Sequence, residues 1–123
     1  MERNILILIT TALMSLNVHA GTVTCSGKVT SLAYHADNKL MIQLSSMNTP
    51  VFFCSPDTDW VVSGTGHKTG PETCKTMYSS FLAAKMAEKS ISSMYFDGAS
   101  VPKTCNTWEK WRSANIRFYK LND

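Results

Sequence analysis

Four cysteines in a chain of 123 residues, Cys25, Cys54, Cys74 and Cys105, constrain the fold more than any other feature. All four follow an N-terminal stretch with the marks of an export signal: Arg3 in a short polar start, an apolar run from Ile5 to Leu16, and the small-residue ending Val18-His19-Ala20. That run is shorter than the roughly 20 apolar residues a spanning helix needs, and no later stretch approaches that length, so no transmembrane segment is expected. Residues 1–20 therefore read as a secretory signal peptide and residues 21–123 as a single domain, exported to the periplasm or the medium. A domain of this size sits near the lower limit for one hydrophobic core, and an even cysteine count in an exported protein predicts two disulfides. Spacing leaves three pairings open. A zinc site is the competing use of four cysteines, but zinc ligands usually come in close pairs, and the nearest neighbours here, Cys54 and Cys74, are twenty residues apart.

From Gly21 to Cys54 the chain is rich in Val, Thr, Ile, Leu and aromatics and is broken by turn residues, which predicts three strands. Val29, Leu32 and Tyr34 are apolar points on the first, and Asp37-Asn38 supplies a tight turn. Leu40 to Leu44 forms the second strand and Val51 to Cys54 the third, with Pro50 at the start, where a missing N–H does least harm. Ser55 to Gly70 reads as a long loop around the apolar island Trp60-Val61-Val62, with room for a short strand. Long loops in small domains are uncommon unless functional, so this one is a candidate binding element.

A helix is expected in GPETCKTMYSSFLAAKMAEKS, with Pro71 and Glu72 in its first turn and Lys85 and Lys89 towards its end. Cys74, Met77, Tyr78, Phe81 and Leu82 recur at helical spacing and predict a buried face; a ligand box of Met77, Phe81 and Met86 is the rarer meaning of such a stripe. ISSMYFDG reads as a fourth strand ending at an Asp97-Gly98 turn. ANIRFYKL reads as a fifth, with Ile116 and Phe118 on one face.

The net charge of +3 is scattered, with no run of Lys or Arg, which argues against nucleic acid. Beyond residue 20 only His35 and His67 remain, and no spacing suggests a nucleophile with its base or a metal triad. The expectation is a protein that is not an enzyme, with no catalytic residues, no metal and no cofactor.

Three strands, a helix and two more strands is the order of an OB-fold, a small Greek-key barrel that binds oligosaccharides or oligonucleotides on its loops and one sheet face. The fold class expected is therefore a mainly β, OB-fold-like barrel with one helix, stapled by disulfides. On the passage CKTMYSSFLAAKMAEKSISSMYF, where Tyr78, Leu82 and Ala83 lead through Lys89 into an Ile/Tyr/Phe strand, and on the placement of Cys25 and Cys105, the domain resembles the pentameric B subunits of bacterial toxins of the cholera, subtilase-cytotoxin and typhoid types. The resemblance covers most of the domain and rests on layout more than on dense identity. It implies a Cys25–Cys105 bridge, which leaves Cys54 to pair with Cys74. The antiparallel first and fourth strands of such a barrel would bring the first pair together.

In cholera-type subunits a tryptophan soon after this cysteine stacks on a terminal galactose, and a glycine-containing polar loop helps enclose the sugar. Trp108 and Trp111 are similar in position, and SGTGHKTG resembles that loop. The glycan site so implied comprises Trp108, Trp111, His67, Lys68, Asn106 and Glu109. A tryptophan in a small barrel is as often plain core, and of the two, Trp111, flanked by Lys110 and Arg112, is expected to be the more exposed. The function implied is that of an exported, non-enzymatic subunit that binds a host glycan or glycoprotein, forms a homo-oligomer, and accompanies an exported enzymatic A subunit. The chain departs from the cholera type in its longer DGASVPKTCNTWEKW connection and in Cys54 and Cys74, which have no counterpart there. Nor does it show a matching Ser/Tyr/Lys cluster for a sialic-acid pocket. A second reading is a monomeric or dimeric periplasmic module that binds or inhibits another protein through the loop around Trp60 or His67.

Overall fold

The computed structural model describes residues 21–121; the signal peptide read over 1–20 lies outside them. Strand β1 (Gly21–His35) is followed by β2 (Lys39–Leu44) and β3 (Val51–Cys54). A short ribbon, β4 (Trp60–Val61) and β5 (Lys68–Thr69), precedes helix α1 (Pro71–Met86), and β6 (Ser90–Gly98) and β7 (Asn115–Leu121) complete the chain.

The long first strand organises the rest. Its early part pairs with β6, from Gly21 opposite Gly98 to Lys28 opposite Ser90, and its later part with β2, from Val29 opposite Leu44 to His35 opposite Lys39. The register shifts between Cys25 and Gly27, where Gly27 takes a φ of 120°. A bulge bends a strand and increases its twist, which lets one strand serve both halves of a curved sheet. The β1–β2 hairpin turns as expected at Asp37-Asn38, with Asn38 at φ 58°, a left-handed conformation that asparagine tolerates.

The sheet runs β3-β2-β1-β6-β7, antiparallel throughout. Its two ends meet where β3 runs parallel to the approach to β7: the Phe52 N–H donates to the Arg112 carbonyl and the Ala114 N–H to the Phe52 carbonyl, both at 2.9 Å. The result is the OB-type barrel expected, with α1 inserted between the third and fourth of its five principal strands. No helix among the described residues is long and apolar enough to cross a membrane.

Pro71 occupies the first helical turn after Gly70, where its missing N–H costs nothing. The buried face of α1 is Cys74, Met77, Phe81 and Ala84, and the Phe81 ring lies edge-on to both Phe53 and Tyr119. The expected stripe is thus corrected at its edge. Each residue advances about 100° around the axis, which leaves Tyr78 half-buried and carries Leu82 to the exposed flank. Both disulfides form as the resemblance implied, Cys25 with Cys105 and Cys54 with Cys74, at Cα separations of 5.7 and 5.6 Å.

One further expectation is extended and two change. The Ser55–Gly70 loop contains a two-stranded ribbon, Trp60 opposite Thr69 and Val61 opposite Lys68. Asp97 and Gly98 are not a turn: they pair with Thr22 and Gly21 inside the sheet, and Asp97 is buried. Its carboxylate accepts from Asn115 Nδ2 at 3.0 Å and lies 3.2 Å from Arg117 Nε, while Thr69 Oγ1 donates to Asn115 Oδ1 at 2.9 Å, so one buried network ties β5, β6 and β7 together. Ile116 and Phe118 do not share a face either. The β6–β7 register shifts between Tyr95 and Phe96, and this irregularity turns Ile116 into the core and Phe118 outward to stack on Tyr95.

Candidate functional site

The Ala99–Ala114 connection leaves the barrel after β6 and is tied back at several points. Cys105 is bonded to Cys25 on β1. Asn48, on the β2–β3 loop, donates its Nδ2 to the Trp108 carbonyl and accepts from the Trp108 N–H at Oδ1, each at 2.8 Å. Trp60 Nε1 donates to the Ala114 carbonyl at 3.0 Å, just past the two Phe52 bonds that close the barrel. Between these ties, residues 109–111 form a short protruding turn braced by an ion pair between Glu109 and Arg112.

Trp111 stands on that turn. Its side chain is 66% exposed, and its backbone has φ 62°. A bulky non-glycine residue in the left-handed region is a true outlier that costs about 1–3 kcal/mol, and such strain persists only where the surroundings enforce it. The ring packs within 5.9 Å of His35 and 6.1 Å of Phe52, centroid to centroid. Beside it opens a cleft of about 310 Å³ lined by Met41, Thr49, Pro50, Lys110 and Trp111.

The β1–β2 hairpin explains this grouping. Opposed residues in an antiparallel pair point to the same side, so His35, beside the Trp111 ring, and Met41, in its cleft, share one face of the hairpin with their partners Lys39 and Ala33. The Lys39 ammonium reaches over the Phe52 ring, 5.4 Å from its centroid. The intervening pair, Tyr34 with Leu40, faces the other way and lines a second cleft of about 450 Å³ with Pro56, Lys75, Tyr78 and Ser79.

Of the six site residues read from the sequence, Trp111 alone lines the apolar cleft. Trp108 is only 3% exposed and lies edge-on to Phe96, with ring centroids 5.3 Å apart, so it packs in the core and offers no face to a sugar. Its Nε1 has no hydrogen-bond partner among the described residues. Glu109 is engaged by Arg112 and lines a separate polar cleft of about 330 Å³ with Ser100 and Thr107. Asn106 is exposed beside Cys105. Lys68 opens β5 of the ribbon, with its ammonium 3.3 Å from the Asp59 carboxylate, and His67 immediately precedes it on the β4–β5 connection. The six residues are thus divided, with Trp108 in the core, Trp111 and Glu109 on the 109–111 turn at different clefts, Asn106 beside Cys105, and His67 and Lys68 at the β4–β5 ribbon.

Sequence pattern alone does not bring His35, Phe52, Met41 and Thr49 beside Trp111 or its cleft. Alternation in the first hairpin would have placed His35 and Met41 on one face, but nothing local announces that a turn some seventy residues later lands on it. Chemically the Trp111 cleft offers an indole face, apolar walls from Met41 and Pro50, and a hydroxyl and an ammonium from Thr49 and Lys110. Such a surface suits a ring with one apolar face and polar substituents at its edge. No family model, curated protein or solved structure matches the chain.

Proposed function

We propose that the protein is an exported, non-enzymatic glycan- or receptor-binding subunit of the toxin B-subunit type, with Trp111 as the surface on which a sugar ring stacks. The observation that carries this reading is the exposure of Trp111 in a strained conformation beside an apolar-walled cleft with polar groups at its rim. Large aromatic side chains are more often buried than displayed, and backbone strain gathers at ligand sites. The C–H face of a pyranose covers the indole while its hydroxyls reach Thr49 and Lys110. Two disulfides fit an oxidising compartment. Phe118 and Leu121, exposed on the terminal strand of the sheet, support self-association into a closed ring, and an enzymatic partner subunit belongs to the same reading.

The alternative of a protein-inhibiting module draws support from Val61, which is 68% exposed on the β4–β5 ribbon. Trp60 cannot serve it as an anchor, because it is buried with its indole N–H bonded to Ala114.

Binding of the oxidised protein, Gly21 to Asp123, to a broad panel of immobilised glycans, alongside Trp111→Ala, tests the site. Signals present for the natural protein and lost in the variant support it; equal signals move the site away from Trp111. An empty panel favours the protein-binding alternative. Light scattering on the same material tests assembly, with a fivefold mass expected and a monomer removing the ring.

A further inference from the structure

We infer that Asn48 is a positioning residue for the Trp111 surface; its role in recognition rests on the reading above, but its structural part can be tested without any ligand. An asparagine side chain carries a donor and an acceptor with the chemistry of a peptide group. Asn48 uses both on the N–H and C=O of the same residue, Trp108, sixty positions away, and so does the work of a neighbouring strand where no strand is present. Four residues further along, Phe52 grips Arg112 and Ala114 through its own main chain. Residues 109–111 thus span two fixed posts, one supplied by a side chain of the β2–β3 loop and the other by β3.

The strained Trp111 backbone needs such posts. A left-handed tryptophan relaxes towards ordinary dihedrals as soon as one end of its turn is free. The buried Trp108 ring anchors its own side chain in the core against Phe96, but its indole N–H has no partner among the described residues, and it is Asn48 that holds the Trp108 main chain from which the turn departs. Asn48 also adjoins Thr49 and Pro50, which line the cleft, so one residue sets the height of the indole and belongs to the segment forming the opposite wall. Holding both in the binding geometry before a ligand arrives spares the ordering that would otherwise weaken association.

The test is the heteronuclear ¹⁵N–¹H relaxation of the Trp111 indole in the natural protein, Asn48→Ala, Asn48→Asp and Ser45→Ala. Ser45, at the start of the same β2–β3 loop, accepts from the Lys28 N–H of β1 and serves as a control of comparable size. In Asn48→Ala the Trp111 indole becomes mobile on the nanosecond scale while the Trp60 indole stays rigid. Asn48→Asp, which keeps the acceptor for the Trp108 N–H and loses the donor, falls between, and Ser45→Ala leaves Trp111 rigid. Where a glycan is bound by the natural protein, Asn48→Ala weakens it about 3- to 10-fold, the scale of lost preorganisation. An unchanged Trp111 indole in both Asn48 variants overturns the proposal, as does mobility spread equally over all three tryptophans or seen equally in Ser45→Ala. Should Asn48→Ala fail to fold, Asn48→Asp decides by the same readout. A glycan panel that stays empty while the indole loosens leaves Asn48 as the positioning residue and removes the sugar.

Discussion

Trp108 and Trp111 stand three residues apart on one connection and face opposite environments, the first packed edge-on to Phe96 and the second exposed beside His35. One residue type therefore does two jobs within a single turn. Truncating a buried tryptophan leaves a cavity and loses its transfer free energy, so Trp108→Ala costs about 3–5 kcal/mol. Trp111→Ala shifts stability by less than about 1 kcal/mol, because a mostly exposed ring gives up little burial. Urea unfolding midpoints of the two variants check this; similar losses at both positions would contradict the assignment of core and surface.

The two disulfides close loops of different length, with sequence separations of 80 and 20. On the chain-entropy account the longer loop stabilises by about 4.5 kcal/mol and the shorter by about 3 kcal/mol. Replacing Cys25 and Cys105 together by alanine is expected to lower stability more than replacing Cys54 and Cys74 together. Denaturant melts of the two double variants supply the comparison, and a reversed order would show that packing around the buried Cys54–Cys74 pair outweighs loop length.

Asp97 and Thr69 both act through Asn115. Removing either partner strands a buried amide group, at about 1–3 kcal/mol each for Asp97→Ala and Thr69→Val. The two losses should fall short of additivity when combined, since the second change acts on an asparagine already released. A double-mutant cycle in urea measures the coupling; strict additivity would mean that the ribbon and β6 are held independently.

At Gly27, with φ 120°, a Cβ would lie 2.0 Å from Ser45 Oγ, and that hydroxyl already accepts from the Lys28 N–H. Gly27→Ala is expected to cost about 1–3 kcal/mol from backbone strain alone, with the contact added to it. Combining it with Ser45→Ala relieves the contact and leaves the strain, so stability recovers in part. Full recovery in the double variant, read by thermal unfolding, would remove backbone strain from the account.

The elements that local pattern dictates were legible in the sequence. Asp37-Asn38 marks its hairpin because asparagine tolerates a positive φ, and Pro71 marks the helix start because that turn needs no N–H. What pairing at a distance dictates was not legible. The shift that turns Phe118 outward depends on how β7 meets β6, and Asp97-Gly98 resembles a turn until β1 pairs across it. The candidate site shows the same division: Trp111 could be singled out from its charged neighbours, whereas the bonds from Asn48 that fix its turn join residues sixty positions apart.

The nested order of the bridges, first cysteine to last and second to third, bears on how the molecule matures. A polypeptide delivered N-terminus first to an oxidant presents Cys25 and Cys54 before either native partner arrives, so joining thiols in order of appearance yields the wrong bond. The native order is reached either by oxidation after the chain has folded or by exchange of an early bond through a mixed disulfide.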